Sequence, residues 1–314
     1  MKNNIFLGVI LSLLGALFYS LQTSIVKGQA MVLPPLPVVI FMQSMVALVL
    51  MLPLILKGGV AKARQKLATN KLGLHILRAV FSLGISFLLF YSVQYIPLVN
   101  GMLLANTAPL IVPFIGYFIW SQKINHNLWV PILVGFAGVM IVLHPDARIF
   151  NPASFLAIGA AVCLSLSMLV VRQLSATDSS EAITFYFFLF STLISGAIAI
   201  RFWVPLTAHM LDVMTIIGVL YFLTQYTMAY ALRFSNAQLV GALFYANIIY
   251  AAIISQVVWH ILPTMLTFAG MLLVIVGGIL CIRVEQQNKQ RSAQLIAVES
   301  NDDSKRAKSK PCTV

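Results

Sequence analysis

Long apolar runs separated by short polar stretches make up most of the chain. Ten of these runs approach or reach the about 20 residues that a helix needs to cross a bilayer. They cover residues 5–26, 36–56, 74–94, 98–120, 128–144, 153–173, 181–203, 211–232, 236–259 and 264–283. Backbone in hydrocarbon must satisfy its own hydrogen bonds, which favours helices, and the continuous runs lack the alternation of barrel strands. The pattern predicts an all-α integral membrane protein with ten transmembrane helices.

The first apolar run has two interpretations. Lys2 followed by an apolar stretch from Ile5 is also how a cleavable signal peptide begins. The run continues to about Val26 without a small-residue cleavage pattern after a short apolar region. The sequence therefore favours a first spanning helix over a signal peptide.

The composition excludes a soluble fold of this length. Hydrophobic residues make up 60% of the chain and charged residues 9%, whereas soluble domains carry about 25% charged residues. The net charge of +12 does not indicate a nucleic-acid partner, because the basic residues lie in loops and tails and not on one helix face. The three cysteines show no disulfide or metal-binding spacing, and the sequence predicts neither a metal site nor a cofactor.

Basic residues predict the orientation in the membrane. With the N-terminus in the cytoplasm, all of the 20 Lys and Arg residues except Lys27, Arg148 and Arg201 fall on the inner side, as the positive-inside rule requires. An even number of spans then places both termini in the cytoplasm. The polar residues 284–314 are predicted to form a disordered cytoplasmic tail.

The two halves of the chain share landmarks at a fixed separation. Shifting the sequence by 139 positions brings Tyr91 onto Tyr230, Trp120 onto Trp259 and Gly138 onto Gly277. This predicts two five-helix units, residues 1–145 and 146–283. Because five is odd, the second unit must be inverted relative to the first, which is how many secondary transporters are built around a central substrate site. Two similar apolar bundles without functional symmetry are the alternative.

The order of several short motifs carries a resemblance. The first half contains Arg78, Phe90-Tyr91-Ser92, Pro97, Asn106 to Pro109, Gly135 to Val139 and Pro145; the second contains Tyr230-Ala231-Leu232, Gly241, Tyr245, Pro263, Gly270 and Gly277-Gly278. In this order and spacing the chain resembles the ten-helix, EamA-type branch of the drug/metabolite transporter superfamily. The resemblance covers nearly everything before the tail. The chain departs from the family in lacking its Gly-Glu pair after the fourth and ninth segments.

The resemblance implies a secondary transporter that works by alternating access in a bacterial inner (cytoplasmic) membrane. Its partners would be a small-molecule substrate and the lipid bilayer, without nucleic acid, and it would be a monomer or homodimer. Export of an amino acid or related compound is the leading expectation. His75 to Arg78 and Val134 to Gly138 are also similar to the branch that takes up S-adenosylmethionine, which makes uptake of a nucleoside-like metabolite the alternative.

Acidic residues are missing from the centres of the predicted spans. All eight of them lie in loops, at helix ends or in the tail, so proton coupling through a deep carboxylate is not expected, nor is a bare lipophilic cation as substrate. An intramembrane enzyme is a second class of function, but the sequence contains no Gly-x-Ser-x-Gly elbow, no His-Glu-x-x-His motif and no buried Asp pair. The sequence therefore predicts a carrier and no enzyme, with a non-transporting receptor as a third class.

Polar residues recur on the faces of several predicted helices. Ser12, Tyr19 and Thr23 form one stripe of the first segment, and the shift by 139 maps Ser82 and Ser86 onto Tyr221 and Gln225. The predicted cavity-lining residues are Tyr19, Gln22, Thr23, Ser82, Ser86, Tyr91, Asn106, Tyr221, Gln225, Tyr245, Asn247 and Tyr250. Hydrogen bonds that only hold helices together are the alternative for each of them.

Two basic residues and two prolines complete the candidates. Lys27 and Arg78 stand near the ends of the first and third segments, where either could snorkel to the interface or meet a substrate carboxylate. Pro109 and Pro113 predict a kink in the fourth segment. The ninth segment has no matching proline, so the two are expected to bend unequally and to move during transport, with a static kink as the alternative.

Overall fold

Helices account for all regular secondary structure in the described part of the chain. The computed structural model describes residues 5–29, 32–57, 59–92, 94–96, 98–120, 126–143, 151–260 and 265–308. The α-helices are α1 (Ile5–Gly28), α2 (Leu36–Leu56), α3 (Val60–Leu67), α4 (Leu72–Ser92), α5 (Leu98–Ala105), α6 (Ala108–Trp120), α7 (Trp129–Leu143), α8 (Ser154–Leu174), α9 (Ser180–Ala199), α10 (Ala208–Phe234), α11 (Ala237–Phe244), α12 (Ala246–Trp259) and α13 (Met265–Lys308). Short 3-10 turns at His126–Leu128 and Ile200–Phe202 adjoin α7 and α9.

Eight helical stretches within the described ranges are long and apolar enough to cross a membrane, by length and composition. They correspond to α1, α2, α4, α8, α9, α10, the α11–α12 pair and the first half of α13. The prediction of an all-α, multi-pass membrane protein is confirmed at this level. The remaining two predicted spans contain shorter apolar helices, Gly101–Val112 and His126–Ile141, and the count of ten stays a prediction.

The structure differs from the sequence-based expectation in the C-terminal tail. Residues 284–308 continue α13 as helix, whereas their polarity predicts disorder. This stretch contains neither glycine nor proline, and it contains several Gln, Ala and Lys residues, which have high helix propensity. Residues 309–314, the rest of the predicted tail, lie outside the described residues.

Four helix pairs form the framework of the bundle. Helix α1 packs along α10, α4 along α8, α2 along α9, and α7 along α13. Helices α7 and α13 cross at glycines: a Cβ atom placed on Gly277 would lie 2.6 Å from the backbone N of Gly135, and one on Gly138 would lie 2.5 Å from the carbonyl oxygen of Gly270. Small residues at such crossings let membrane helices approach closely, so this crossing is fixed by the sequence.

A buried polar cluster fastens the start of α4 to the α8–α9 connection. Nε2 of His75 and Oδ2 of Asp178 are 2.8 Å apart, and the hydroxyl of Thr69 donates to the same carboxylate oxygen at 2.6 Å. Burial alone would raise the pKa of Asp178, but hydrogen bonds from Thr69, His75 and Thr177 and the attraction of His75 outweigh burial and hold the pKa below its ordinary value of 3.8. We call His75, Asp178 and Thr69 the clasp.

Candidate functional site

A cavity lies at the meeting point of α1, α2, α4, α8, α10 and α11. Its volume is about 250 Å³, slightly below the about 300–1,000 Å³ of typical ligand pockets. Aliphatic side chains such as Leu164, Met168 and Met228 form much of the wall. The polar or charged lining residues are Tyr19, Gln22, Gln43, Arg78, Ser82, Ser86, Ser167, Tyr221, Thr224 and Gln225. A mixed wall of this kind suits a small molecule with both polar and apolar parts.

Lining positions on α4 recur on α10. The side chains at Ser82, Ile85, Ser86 and Leu89 face the cavity, and so do those 139 positions later, Tyr221, Thr224, Gln225 and Met228. Helices α1 and α8 show a similar correspondence at a separation of 145 positions. Tyr19 and Gln22 line the cavity, and so do the residues 145 positions later, Leu164 and Ser167. The wall is therefore built from corresponding positions of two parts of the chain.

Two glutamines form a buried pair on one wall. The Nε2 group of Gln22 on α1 donates to Oε1 of Gln43 on α2 at 3.0 Å, and both side chains are at most 9% exposed. The Oε1 atom of Gln22 is buried without a hydrogen-bond partner. Gln22 is among the predicted lining residues and Gln43 is not, because the only sequence signal of Gln43 is that it interrupts a long apolar run.

Arg78 is buried at the cavity and does not reach an interface. Arg78 is 2% exposed. One of its Nη groups donates a hydrogen bond to the carbonyl oxygen of Ile183 at 2.8 Å, and the other donates to Oε1 of Gln225 at 3.3 Å. The guanidinium carbon lies 4.3 Å from the centre of the Phe187 ring, a cation–π contact. Snorkelling, the default expectation for this residue, is therefore not what the structure shows.

Lys27, the second basic candidate, is exposed at the end of α1. It does not line the cavity. The structure thus separates the two cations that sequence position alone treats alike.

Three predicted lining residues make local contacts outside the cavity. The hydroxyl of Thr23 donates to the carbonyl oxygens of Tyr19 and Ser20 in its own helix, and the side-chain amide of Asn106 donates to the carbonyl oxygen of Met102 at 2.8 Å. Tyr91 is 52% exposed, and its ring centre lies 5.6 Å from that of Tyr95. None of these three side chains lines the cavity.

The candidates on α12 and at its start also lie elsewhere. Tyr245 is 1% exposed within an apolar cluster, and its hydroxyl has no hydrogen-bond partner. The side chain of Asn247 is buried outside the cavity wall. Tyr250 lines a different, almost wholly apolar pocket between α1, α11, α12 and α13. The structure thus brings Tyr19, Gln22, Arg78, Ser82, Ser86, Tyr221 and Gln225 together and leaves the other candidates apart.

Two helices are interrupted at matching positions. The break between α5 and α6 falls at Asn106 and Thr107, and Pro109 lies in the first turn of α6; Pro113 lies further along the same helix. The break between α11 and α12 falls at Tyr245, 139 positions after Asn106, without any proline. Proline explains the first break, since its ring clashes with the preceding turn, but the second break has no such signal in the sequence.

A serine from another helix binds a backbone carbonyl just after each break. The hydroxyl of Ser165 on α8 donates to the carbonyl oxygen of Ala108 at 3.0 Å, and the hydroxyl of Ser20 on α1 donates to that of Asn247 at 2.6 Å. Ala108 and Asn247 are 139 positions apart, and Ser20 and Ser165 are 145 apart. Each bond joins the start of the second helical segment to a helix from the other half of the chain, as polar side chains commonly do between membrane helices.

The residues described at the cavity suit ligand binding and not metal binding or catalysis. Among the residues that the structure describes, no group of three or more His, Cys, Asp or Glu side chains could hold a metal ion. Among the described residues, the lining contains hydroxyl, amide and guanidinium groups but no carboxylate or thiol. The arrangement can hold a ligand by hydrogen bonds and one positive charge.

Comparison with known proteins identifies a matching family and several relatives. A model of the EamA-like transporter family matches residues 6–144 and 151–283. Over 286 residues the chain is 27% identical to the pseudopaline exporter CntI of Pseudomonas aeruginosa, covering 90% of this chain and 97% of the relative. It is 32% identical over 209 residues to the riboflavin transporter of Vibrio cholerae, covering 66% of this chain and 69% of the relative.

More distant relatives extend the same picture. The S-adenosylmethionine uptake transporter of Rickettsia prowazekii is 21% identical over 245 residues, covering 76% of this chain and 80% of the relative. A solved crystal structure superimposes with a TM-score of 0.74 at 17% identity, covering 89% of this chain and 98% of that chain, which supports the fold alone. The named relatives are transporters and not enzymes. The chain is a multi-pass small-molecule transporter and belongs to the EamA-like transporter family.

Proposed function

We propose that this protein exports an amino acid or a related small metabolite across the bacterial inner membrane by alternating access. The substrate would bind in the cavity between α1, α2, α4, α8, α10 and α11. The observation that carries the proposal is the cavity wall itself. Corresponding positions, Ser82 with Tyr221 and Ser86 with Gln225, face one space. In secondary transporters the substrate site lies between repeats in this way.

Helix packing supports two inverted five-helix repeats. The matched ranges start 145 residues apart (6 and 151) and end 139 apart (144 and 283). Exchanging the two halves converts the α1–α10 pair into the α8–α4 pair and leaves the α2–α9 and α7–α13 pairs unchanged. A pseudo-twofold axis through the cavity accounts for all four pairs. With five spans in each unit, it also accounts for ten spans with both termini in the cytoplasm.

The interrupted helices supply the moving parts of the proposal. A broken helix can change the angle between its halves at a low energetic cost, and transporters use such helices near the substrate. The bond from Ser165 to Ala108 and the bond from Ser20 to Asn247 each join the first half of the chain to the second half, next to a helix break. We infer that one such bond loosens as the cavity opens to one side, and the other as it opens to the opposite side.

Export of an amino-acid-like molecule fits the size and polarity of the cavity. About 250 Å³ is small for a ligand pocket, and the wall offers amide and hydroxyl groups next to aliphatic side chains. The family relative with the longest overlap reported above is an exporter. The lining residues that the structure describes include no Asp or Glu, and the proposed carrier or exchanger therefore does not use a deep acidic group for proton coupling.

Uptake of a nucleoside-like metabolite is the second candidate, and one observation favours it. The rings of Tyr19 and Phe244 lie 5.2 Å apart at the cavity, and Tyr221 lies on the same wall. Aromatic side chains of this kind can pack against a flat ring system. Two of the relatives above carry riboflavin and S-adenosylmethionine.

Efflux from liposomes tests the proposal. Purified protein is reconstituted in vesicles preloaded with radiolabelled L-amino acids, riboflavin or S-adenosylmethionine, with and without a pH gradient. We expect protein-dependent loss of an amino acid that Gln22→Ala abolishes. Gln29→Ala, a matched glutamine change just after the end of α1 and outside the cavity lining, should leave it unchanged.

Each alternative result has a distinct meaning. Flux of riboflavin or S-adenosylmethionine alone would favour the second candidate. Equal flux by the Gln22→Ala protein would place the substrate outside this cavity. Strong acceleration by the pH gradient would contradict a carrier without proton coupling, and no protein-dependent flux of any compound would contradict the transport proposal for these substrate classes.

A further inference from the structure

The guanidinium group of Arg78 is a buried positive charge without an acidic partner in the described part of the chain. Its hydrogen bonds go to a backbone carbonyl and to a side-chain amide, those of Ile183 and Gln225. Its Nε group is buried and has no hydrogen-bond partner. These neutral groups and the Phe187 ring orient and partly solvate the guanidinium, but no acidic side chain of the described residues neutralises its charge.

Such a charge is costly in the apolar part of a membrane protein. Basic residues inside membrane helices are rare, and they usually pair with other groups or mark a substrate pathway. A buried charge that lacks its counter-ion is strongly destabilising. Arg78 lies on the wall of the cavity, so a bound ligand can supply the missing negative charge.

The charge breaks the internal symmetry of the cavity. The position that corresponds to Arg78 in the second half is Ile217, which is fully buried and does not line the cavity. All other described lining groups are neutral, since no Asp, Glu or Lys is among them. The cavity therefore has one positive end, which attracts anions and repels cations.

A second buried group without a hydrogen-bond partner is an acceptor, whereas Arg78 is a donor. Oε1 of Gln22 is buried and accepts no hydrogen bond, while the Nε2 group of the same side chain is held by Gln43. The cavity thus offers one cationic donor group on α4 and one neutral acceptor on α1. A ligand with an anionic group and an N–H donor satisfies both.

We propose that Arg78 binds a carboxylate group of the transported molecule and that Gln22 accepts a hydrogen bond from its amino group. This inference rests on the proposed function and narrows its substrate class to carboxylate-bearing metabolites, with α-amino acids as the simplest case. Guanidinium and carboxylate groups form strong, charge-assisted hydrogen bonds. Gln225, which already accepts a bond from Arg78, positions the guanidinium.

Paired compounds test the proposal without any mutation. L-Phenylalanine and L-phenylalaninamide differ in the carboxylate, and 3-phenylpropionate lacks the amino group. We compare efflux of the three from liposomes and their equilibrium binding to the detergent-purified protein. Loss of one partner of a buried charge pair costs about 2 kcal/mol or more, which is about 30-fold in affinity, so the amide should bind at least about 30-fold more weakly than the acid. The loss for 3-phenylpropionate should be smaller.

Variants separate a binding role from a purely structural one. Arg78→Gln should lose the preference for acid over amide, whereas Arg78→Lys should keep the preference with reduced affinity, because it retains the charge without the planar fork. Arg201→Gln removes one positive charge from an exposed position and should change nothing. If Arg78→Gln fails to fold, the comparison of acid and amide on the unmodified protein decides the matter alone.

The possible failures are distinguishable. Flux of the amide equal to that of the acid would overturn the role of Arg78 and leave the transport function intact. Binding of the acid over the amide without any flux would support the site and contradict the carrier. Neither flux nor binding of any carboxylate compound would contradict both.

Discussion

The crossing of α7 and α13 gives a sharp prediction because two adjacent glycines meet different surroundings. A Cβ atom on Gly277 would lie 2.6 Å from the backbone N and 2.7 Å from Cα of Gly135, and 2.9 Å from the carbonyl oxygen of Pro131. A Cβ atom on Gly278 would meet only the end of the Leu243 side chain, at 3.6 Å. Gly277→Ala should therefore disturb the crossing, and Gly278→Ala should not.

The magnitude follows from the contacts. Overpacking a well-packed core costs about 1–3 kcal/mol, and three backbone atoms within 3.0 Å place Gly277→Ala at the upper end, because backbone cannot move aside without separating the helices. The higher helix propensity of alanine offsets about 0.5–1 kcal/mol of this loss in folding free energy. The expected net loss of stability is about 2 kcal/mol for Gly277→Ala, whereas Gly278→Ala should be neutral or stabilising by up to about 1 kcal/mol.

The assay is the thermal midpoint of both purified variants in the same detergent, followed by size-exclusion chromatography after heating. Gly277→Ala should melt clearly below the unmodified protein and Gly278→Ala at or above it. Equal midpoints for the two variants would refute the reasoning, since the residues are neighbours on one helix and differ only in what the added methyl group meets.

Three further predictions concern other parts of the molecule. Asp178→Asn should destabilise the protein by about 2 kcal/mol at neutral pH by breaking hydrogen bonds to a charged group. Because its pKa is held below 3.8 in the folded protein, this stabilisation is present above that value and is lost as the pH falls through the folded-state pKa. The gap in thermal midpoint between variant and unmodified protein should therefore shrink below about pH 4, and a pH-independent gap would contradict the clasp. Ser165→Ala should slow transport several-fold with little change in substrate affinity, because it removes the hydrogen bond that joins α8 to α6 beside a break; an unchanged efflux rate would argue against a role for that bond. Tyr245→Phe should leave transport unchanged and keep or raise the thermal midpoint, because it removes a buried hydroxyl without a partner; loss of transport would return Tyr245 to the site.

The spans were predictable because a single physical requirement dominates them. Backbone in hydrocarbon has to be helical, so a long apolar run such as 36–56 and the observed helix Leu36–Leu56 coincide. The tail was less predictable, since its polarity indicates disorder while its helix propensity supports the observed continuation of α13. Sequence polarity reports exposure to water more directly than it reports backbone conformation.

The cavity was predictable only in part. Periodicity and the shift by 139 single out Ser82, Ser86, Tyr221 and Gln225, all of which line it. The same patterns cannot tell a hydroxyl or amide that faces a cavity from one that bonds to its own helix, as Asn106 does, because both reside on one helical face. Residues without a periodic partner, such as Gln43, and the break at Tyr245 leave no sequence signal of this kind.

Burial of Arg78 shows a further limit of sequence patterns. Its place near the start of an apolar run is typical of a residue that snorkels to the interface. Only packing of α9 across α4, which brings the carbonyl of Ile183 and the ring of Phe187 against the guanidinium, reveals that it is enclosed. Contacts between residues more than 100 positions apart decide the role of this side chain.

Side-specific labelling of the cavity tests whether it opens alternately to the two sides of the membrane. Ser86→Cys is introduced into a chain whose three native cysteines are replaced by alanine, and the protein is reconstituted with one orientation in liposomes. A membrane-impermeant thiol reagent is added to either side, with and without L-phenylalanine. Alternating access through this cavity should give labelling from both sides and protection by L-phenylalanine. Labelling from one side only, unaffected by any transported compound, would contradict it.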